Sequence, residues 1–115
     1  MTLDGLHTVD IIETMENFLE AVRPPANIRF ELDINYLIEG QSVIINEVRP
    51  RWDNKDEYSE HGVAKATYVR AKNHWKVFWI RADLKWHPYP PKPTVQSLQE
   101  FTQLVKKDKH HCFWG

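Results

Sequence analysis

The densest chemistry in the sequence lies between residues 63 and 87. Lys65, Arg70, Lys72, Lys76, Arg81 and Lys85 stand there against the single acid Asp83, with Tyr68, Trp75, Trp79 and Trp86 interleaved. Phosphates attract cations and unstacked bases attract flat aromatic surfaces, so a ribbon carrying both on one face suits nucleic acid. In a hairpin turning at Asn73-His74, Tyr68, Arg70, Trp75, Val77, Trp79 and Arg81 share a face. Arg70, Lys72, Trp75, Trp79 and Arg81 are therefore the candidate binding residues. The same pattern serves an ordinary half-buried sheet, in which the indoles are core and the long basic side chains lie across them by cation–π contact. Periodicity alone does not say which face is buried. No recognised DNA- or RNA-binding motif accompanies the pattern.

A second constellation is acidic. With a three-residue loop at Glu39-Gly40-Gln41, Tyr36 faces Ile44, Ile34 faces Asn46 and Leu32 faces Val48. The other face then pairs Glu31 with Arg49 and Asp33 with Glu47. Like charges directly opposite are costly unless a cation or a proton sits between them. Two carboxylates on adjacent strands can hold Mg²⁺ with water and a phosphate, so Asp33 and Glu47 are the candidate metal ligands of a metal-dependent phosphodiesterase. Against this, the position of the usual lysine base is taken by Arg49, and arginine stays charged. A solvated ladder of ion pairs accounts for the same residues. A one-residue slip of register would dissolve the pairing altogether.

The remaining reactive side chains point nowhere definite. His61, His74 and His87 fall in turns or at strand ends. His110-His111-Cys112 holds zinc-competent atoms, but sequence neighbours rarely converge on one tetrahedral metal and no Cys-x-x-Cys partner exists. Cys112 has no legible base, so a plain thiol is expected. Walker loop, dinucleotide glycine fingerprint, His-Glu-x-x-His and Gly-x-Ser-x-Gly are all missing, and no cofactor and no catalytic residue is implied. A binding module leads over an enzyme.

Composition bounds these readings. The 115 residues fit one domain, spanning 1–115, with 42% hydrophobic and 27% charged residues. The formal net charge of −1 hides a division. Residues 1–60 carry 13 acids and 5 bases, and residues 61–115 carry 3 acids and 10 bases. The halves either neutralise each other within the fold or meet across copies, which makes a homodimer or other protein-interaction module the third functional class. No apolar run approaches the length of a membrane span, and Met1 to Asp10 lacks the basic cluster of a secretory leader. A lone cysteine suits a reducing compartment, so a cytoplasmic protein without membrane partners is expected.

The elements that must position these residues follow from period and punctuation. Thr8 reads as an N-cap for a helix over about 8–22, with Ile12, Met15, Leu19 and Val22 at helical spacing and Pro24-Pro25 as the stop. Ile28, Phe30, Leu32, Ile34 and Tyr36 alternate with polar residues, which predicts a strand over about 28–38. Strands over about 42–52, 63–72, 75–83 and 85–89 follow, with an acidic loop from Asp53 to His61 and a proline connector from Pro88 to Pro93. Ser97-Leu98-Gln99-Glu100 is a capping box that opens a helix over about 97–108. The order predicts an α+β fold: an antiparallel meander sheet of four to five strands flanked by an N-terminal and a C-terminal helix.

Several stretches together resemble one family. They are Arg23-Pro24-Pro25, Ile38-Glu39-Gly40-Gln41-Ser42-Val43, Arg49-Pro50-Arg51-Trp52 and Val63-Ala64-Lys65-Ala66-Thr67-Tyr68-Val69. They continue through Trp75-Lys76-Val77-Phe78-Trp79, Arg81-Ala82-Asp83-Leu84-Lys85-Trp86-His87 and the ending Cys112-Phe113-Trp114-Gly115. Over nearly its whole length the chain resembles the uncharacterised bacterial domain of unknown function 3024 family. The resemblance implies a stand-alone bacterial protein and supplies no catalytic residue.

Overall fold

The computed structural model describes residues 5–114, with side chains from residue 8 onward. Helix α1 (Gly5–Val22) leads through a 3₁₀ turn (Ala26–Ile28) into β1 (Asp33–Glu39) and β2 (Ser42–Pro50). Strands β3 (Tyr58–Val69), β4 (His74–Ile80), β5 (Trp86–Pro88) and β6 (Thr94–Val95) follow, and α2 (Leu98–Lys107) closes the order. The strands form one antiparallel sheet in the order β1-β2-β3-β4-β5, with β6 also pairing β4. The α+β meander expected from the sequence is the observed fold, with the short β6 added to the four to five strands expected.

Both helices serve one face of that sheet. Ile11, Met15 and Phe18 of α1 and Leu98, Phe101 and Val105 of α2 share a core with Val43, Ile45, Ala64, Ala66, Trp75 and Val77. Ala64 and Ala66 are fully buried in the middle strand, where small side chains leave room for the larger residues of the helices and of β4. α1 begins before Thr8, so Thr8 is not its N-cap. Its inward stripe is centred on Met15 rather than on Ile12, which is 44% exposed. Ser97 caps α2 as expected, its Oγ accepting the Glu100 N–H at 3.2 Å.

The first strand is shorter than its alternation predicts. Residues 28–32 turn on themselves: Ile28 N–H donates to Pro25 O, and Glu31 N–H and Leu32 N–H both donate to Ile28 O. Pro24 and Pro25 pre-set a turn and bring no donors of their own, so local bonds replace a ladder there. β1 is then held to the end of α1 by a two-pronged bond from Arg23 to Asp33, both contacts 2.8 Å.

Turn geometry corrects both predicted registers. Gly40 takes φ +60° and Gly40-Gln41 forms a two-residue loop, so Glu39 faces Ser42, Tyr36 faces Ile45 and Ile34 faces Glu47. The expected three-residue loop is one residue too long, and that slip moves every β2 side chain to the other face. In the second hairpin, Arg70–Lys72 form a 3₁₀ turn closed by Asn73 at φ +51°, and Tyr68 faces Trp75. The predicted partner of Tyr68, Trp79, faces Ala64 instead. A shift of four residues keeps the parity, so Tyr68, Trp75, Val77 and Trp79 still share a face. Arg70 and Arg81, however, leave the ladder.

The chain ends by folding back on α2. The Asp108 carboxylate, 7% exposed, accepts Phe113 N–H at 3.0 Å and Trp114 N–H at 2.9 Å, while Trp114 Nε1–H donates to Val105 O at 2.8 Å. Phe113 thereby reaches the ring of buried Tyr89, 4.7 Å between centroids. Asp108 sits at φ +40°, where Asp and Asn are tolerated better than Ala. Asp108→Ala should therefore cost about 3 kcal/mol in urea denaturation, from two charge-assisted bonds and backbone strain. Asp108→Asn, which keeps an acceptor oxygen and suits that conformation, should cost clearly less. Equal losses would mean that the tail bonds contribute little.

Candidate functional site

The five residues proposed from the sequence do not form one water-facing surface. Trp75 is 3% exposed, packed against Tyr68 with ring centroids 5.2 Å apart and in the same core as Ile11 and Leu98. Trp79 is half-buried against that core, and the Arg81 guanidinium lies 5.7 Å from its ring centroid. Arg70 and Lys72 are exposed on the 3₁₀ turn at the opposite end of β4 from Arg81. The packing alternative explains the indoles: two helices need an apolar sheet face, and the Trp75–Val77–Trp79 row supplies it.

The proposed metal ligands are also apart. Asp33 pairs with Val48 and Ile34 with Glu47, so the two carboxylates point to opposite faces of the sheet. Each has its own cation: Asp33 is bound by Arg23, and Glu47 Oε2 accepts from Arg49 Nη2 at 2.7 Å. The expected Glu31–Arg49 pairing is absent from the ladder because Glu31 lies in the turn before β1. Among the described residues no three His, Cys, Asp or Glu side chains are grouped to hold a metal ion. Burial, helped by the charge of Asp108, pushes the Cys112 thiol above its ordinary value, which suits an inert thiol.

A different cluster stands out at the far end of β2 and β3. These two strands pair to their ends, Pro50 facing Tyr58, so the segment Tyr58–His61, expected to be loop, is strand. The connecting loop is fastened from within. Arg51 N–H donates to Glu57 O at 2.8 Å, Asp56 N–H donates to Asn54 Oδ1 at 3.1 Å, and the Arg51 guanidinium forks onto Asp53 at 3.0 and 2.8 Å. That guanidinium holds the Asp53 carboxyl below its ordinary range. With both neighbours engaged, Trp52 is left 94% exposed. Phe30, turned outward by the bend at 28–32, is 61% exposed, and Tyr58 is 51% exposed.

These three rings line one open cleft of about 400 Å³, together with Pro50, Glu31, Arg49, Arg51 and Lys55. Scattered exposed apolar residues need no explanation, but three neighbouring aromatics with three cations form a patch of the kind that marks binding surfaces. Arg49 and Arg51 are engaged by Glu47, Asp53 and Glu57, whereas Lys55 makes no ion pair among the described residues. Exposed pairs of this sort are worth at most about 1 kcal/mol, so an incoming anion can exchange for them. The sequence did hold a signal here, Arg49-Pro50-Arg51-Trp52, in which a tryptophan is flanked by charge and proline at the end of a strand pattern.

Two measurements separate the sites. Trp52→Ala should leave stability within about 0.5 kcal/mol, as for a surface residue, while Trp75→Ala should cost about 3–5 kcal/mol in urea denaturation. Comparable losses would mean that Trp52 is packed. Asp33 gives the second. Its carboxyl is held below its ordinary value, first by the hydrogen bond from Arg23. Its stabilisation is therefore present above the unfolded-state value near about 3.9 and fades as pH falls through the lower folded-state value. Stability of Asp33→Asn should accordingly fall less steeply than wild type below about pH 4. Parallel acid profiles would show that the pair is not formed in solution.

Among the described residues no helix is long and apolar enough to cross a membrane. No curated protein and no solved structure matches the chain. A family model does, from residue 3 to residue 115, and the chain belongs to the family described as domain of unknown function (DUF3024).

Proposed function

We propose that this protein is a binding module for nucleic acid with unstacked bases, and that the contact is made in the cleft of Phe30, Trp52 and Tyr58. One observation carries the reading: three water-exposed rings share a cleft with three cations and one acid. Rings offer bases a stacking surface, and Arg49, Arg51 and Lys55 offer phosphates charge. The surface thus differs from the one the sequence suggests, while the ligand class is the same. Phosphoryl-transfer chemistry gains no support, since Asp33 and Glu47 face apart. The lone, partly buried thiol of Cys112 fits a reducing compartment, which we take to be the bacterial cytoplasm that the resemblance implies.

Trp, Tyr and Arg are also the residues that dominate protein–protein contacts. Lys55, the lining cation that makes no ion pair among the described residues, favours an anionic ligand, and the experiment decides between the two. Anisotropy of a labelled oligothymidylate should report binding at low salt. With two or three phosphates neutralised, log K should fall against log salt with a slope of about −1.4 to −2. Trp52→Ala should weaken binding about 5- to 150-fold, the equivalent of one stacked base. Lys55→Ala should flatten the salt slope by about 0.7. Absence of binding at low salt, or indifference to Trp52→Ala, overturns the proposal. Concentration-dependent self-association abolished by Trp52→Ala would assign the cleft to a second copy of the chain instead.

A further inference from the structure

The sheet has two faces and the helices cover one. Register places Ile44, Asn46, Val48 and Pro50 of β2 on the uncovered face, with Tyr58, Glu60, Gly62, Lys65 and Thr67 of β3. The count changes parity at the bulge between Ile45 and Asn46, where Val63 is the extra residue and turns into the core. Phe78 pairs with Lys65 and Lys76 with Thr67, which puts both on the same open face, and Ile80 pairs with Trp86.

Trp86 is fixed there by close contact. A Cβ at Gly62 would come within 2.7 Å of Trp86 Cζ2 and 2.9 Å of Ile80 Cδ1, so only glycine lets the indole lie against β3. The Lys65 ammonium stands 4.9 Å from the Phe78 ring centroid and 5.3 Å from that of Trp86. Burial lowers the pKa of Lys65, with Glu39 partly offsetting it, and no hydrogen bond to Nζ forms among the described residues. β4, β5 and β6 hold no acid at all, while Lys76 is exposed.

This face is continuous with the aromatic cleft, because Tyr58 and Pro50 belong to both. From Tyr58 to Lys65 is seven strand steps, about 23 Å at about 3.3 Å each. Resting on the proposed function, we infer that a single strand of nucleic acid continues from the cleft across the open sheet face, its next bases meeting Trp86 and Phe78 and its phosphates Lys65 and Lys76. The occupant is single-stranded because rings that lie on a sheet can stack only on bases already free of a partner strand. A lysine held over two rings gains a charged acceptor when a phosphate arrives, and its departure from the rings frees them for bases. Asp33, Glu39 and Glu60 also lie on this face, so its cationic part is the side of β4 and β5, and that side together with its continuity with the cleft points to this ligand.

The test is a length series. Oligothymidylates of about three, six and nine nucleotides are titrated into the whole protein, and the ratio of trimer to nonamer Kd is read. Seven registers of a trimer site along a nonamer give about sevenfold by counting alone, so an extended site must exceed that, reaching at least about 30-fold. The double substitution Lys65→Met with Lys76→Ala should bring the ratio back to about sevenfold, whereas Lys107→Ala, on the helix side, should leave it as in wild type. Near-ultraviolet circular dichroism confirms that the fold is kept, and a single Lys76→Ala variant, at a fully surface position, gives the same direction if the double variant unfolds. A wild-type ratio near sevenfold, or an undiminished ratio in the lysine variants, overturns the extended path while leaving the cleft intact. Failure of the trimer and the nonamer alike overturns the cleft reading with it.

Discussion

Ala64 and Ala66 occupy the centre of the sheet with no exposed surface, flanked by Ile45 and Val43 on one side and by Trp79 and Val77 on the other. Two small side chains in the middle strand let α2 approach and let the indoles of β4 tuck beneath the helices. The core depends on this asymmetry of size. A pair of helices totalling under 30 residues can cover one sheet face only, so the other is left to water with no more than its own side chains to shield it. That face consequently presents half-buried Phe78, Ile80 and Trp86, sheltered in part by Lys65.

The division of labour among the tryptophans follows. Trp75 is spent on the core and Trp79 on its margin, Trp86 on the open face, Trp114 on closing the tail over Val105, and Trp52 on nothing inside the molecule. A nearly bare indole contributes nothing to folding, and the loop that presents it is tied by Arg51 to Asp53 and Glu57 so that its backbone stays in one shape. A ring kept outside by an organised loop is the feature on which the proposed binding rests. It shares a cleft with Phe30 because two prolines bend the chain before β1.

Period and punctuation carried the architecture a long way. The helix after Ser97 was legible because a capping box marks its start and its apolar positions recur at helical spacing. The meander was legible because short turns join apolar-polar alternations. Boundaries failed where local and long-range demands compete. Residues 28–32 alternate like a strand, yet Pro24-Pro25 commit them to a turn. Tyr58–His61 are polar on both faces and read as loop, yet their backbone pairs with β2 because that hairpin outgrows the rest of the sheet. The acidic pairing of Asp33 with Glu47 hung on the length of one loop, and a single residue reversed it.

Composition and spacing thus decided that the chain would be an antiparallel sheet with a helix at each end, and that β4 would carry Trp75 and Trp79 on one side. They did so because hydrophobic period is a local property, set by 3.6 residues per helical turn and two per strand repeat. Which side of β4 was sealed, which tryptophan was bare, and which carboxylates met were settled only by packing. Those outcomes depend on how turns set register and on which face two helices reach, and both are contacts between segments distant in the chain.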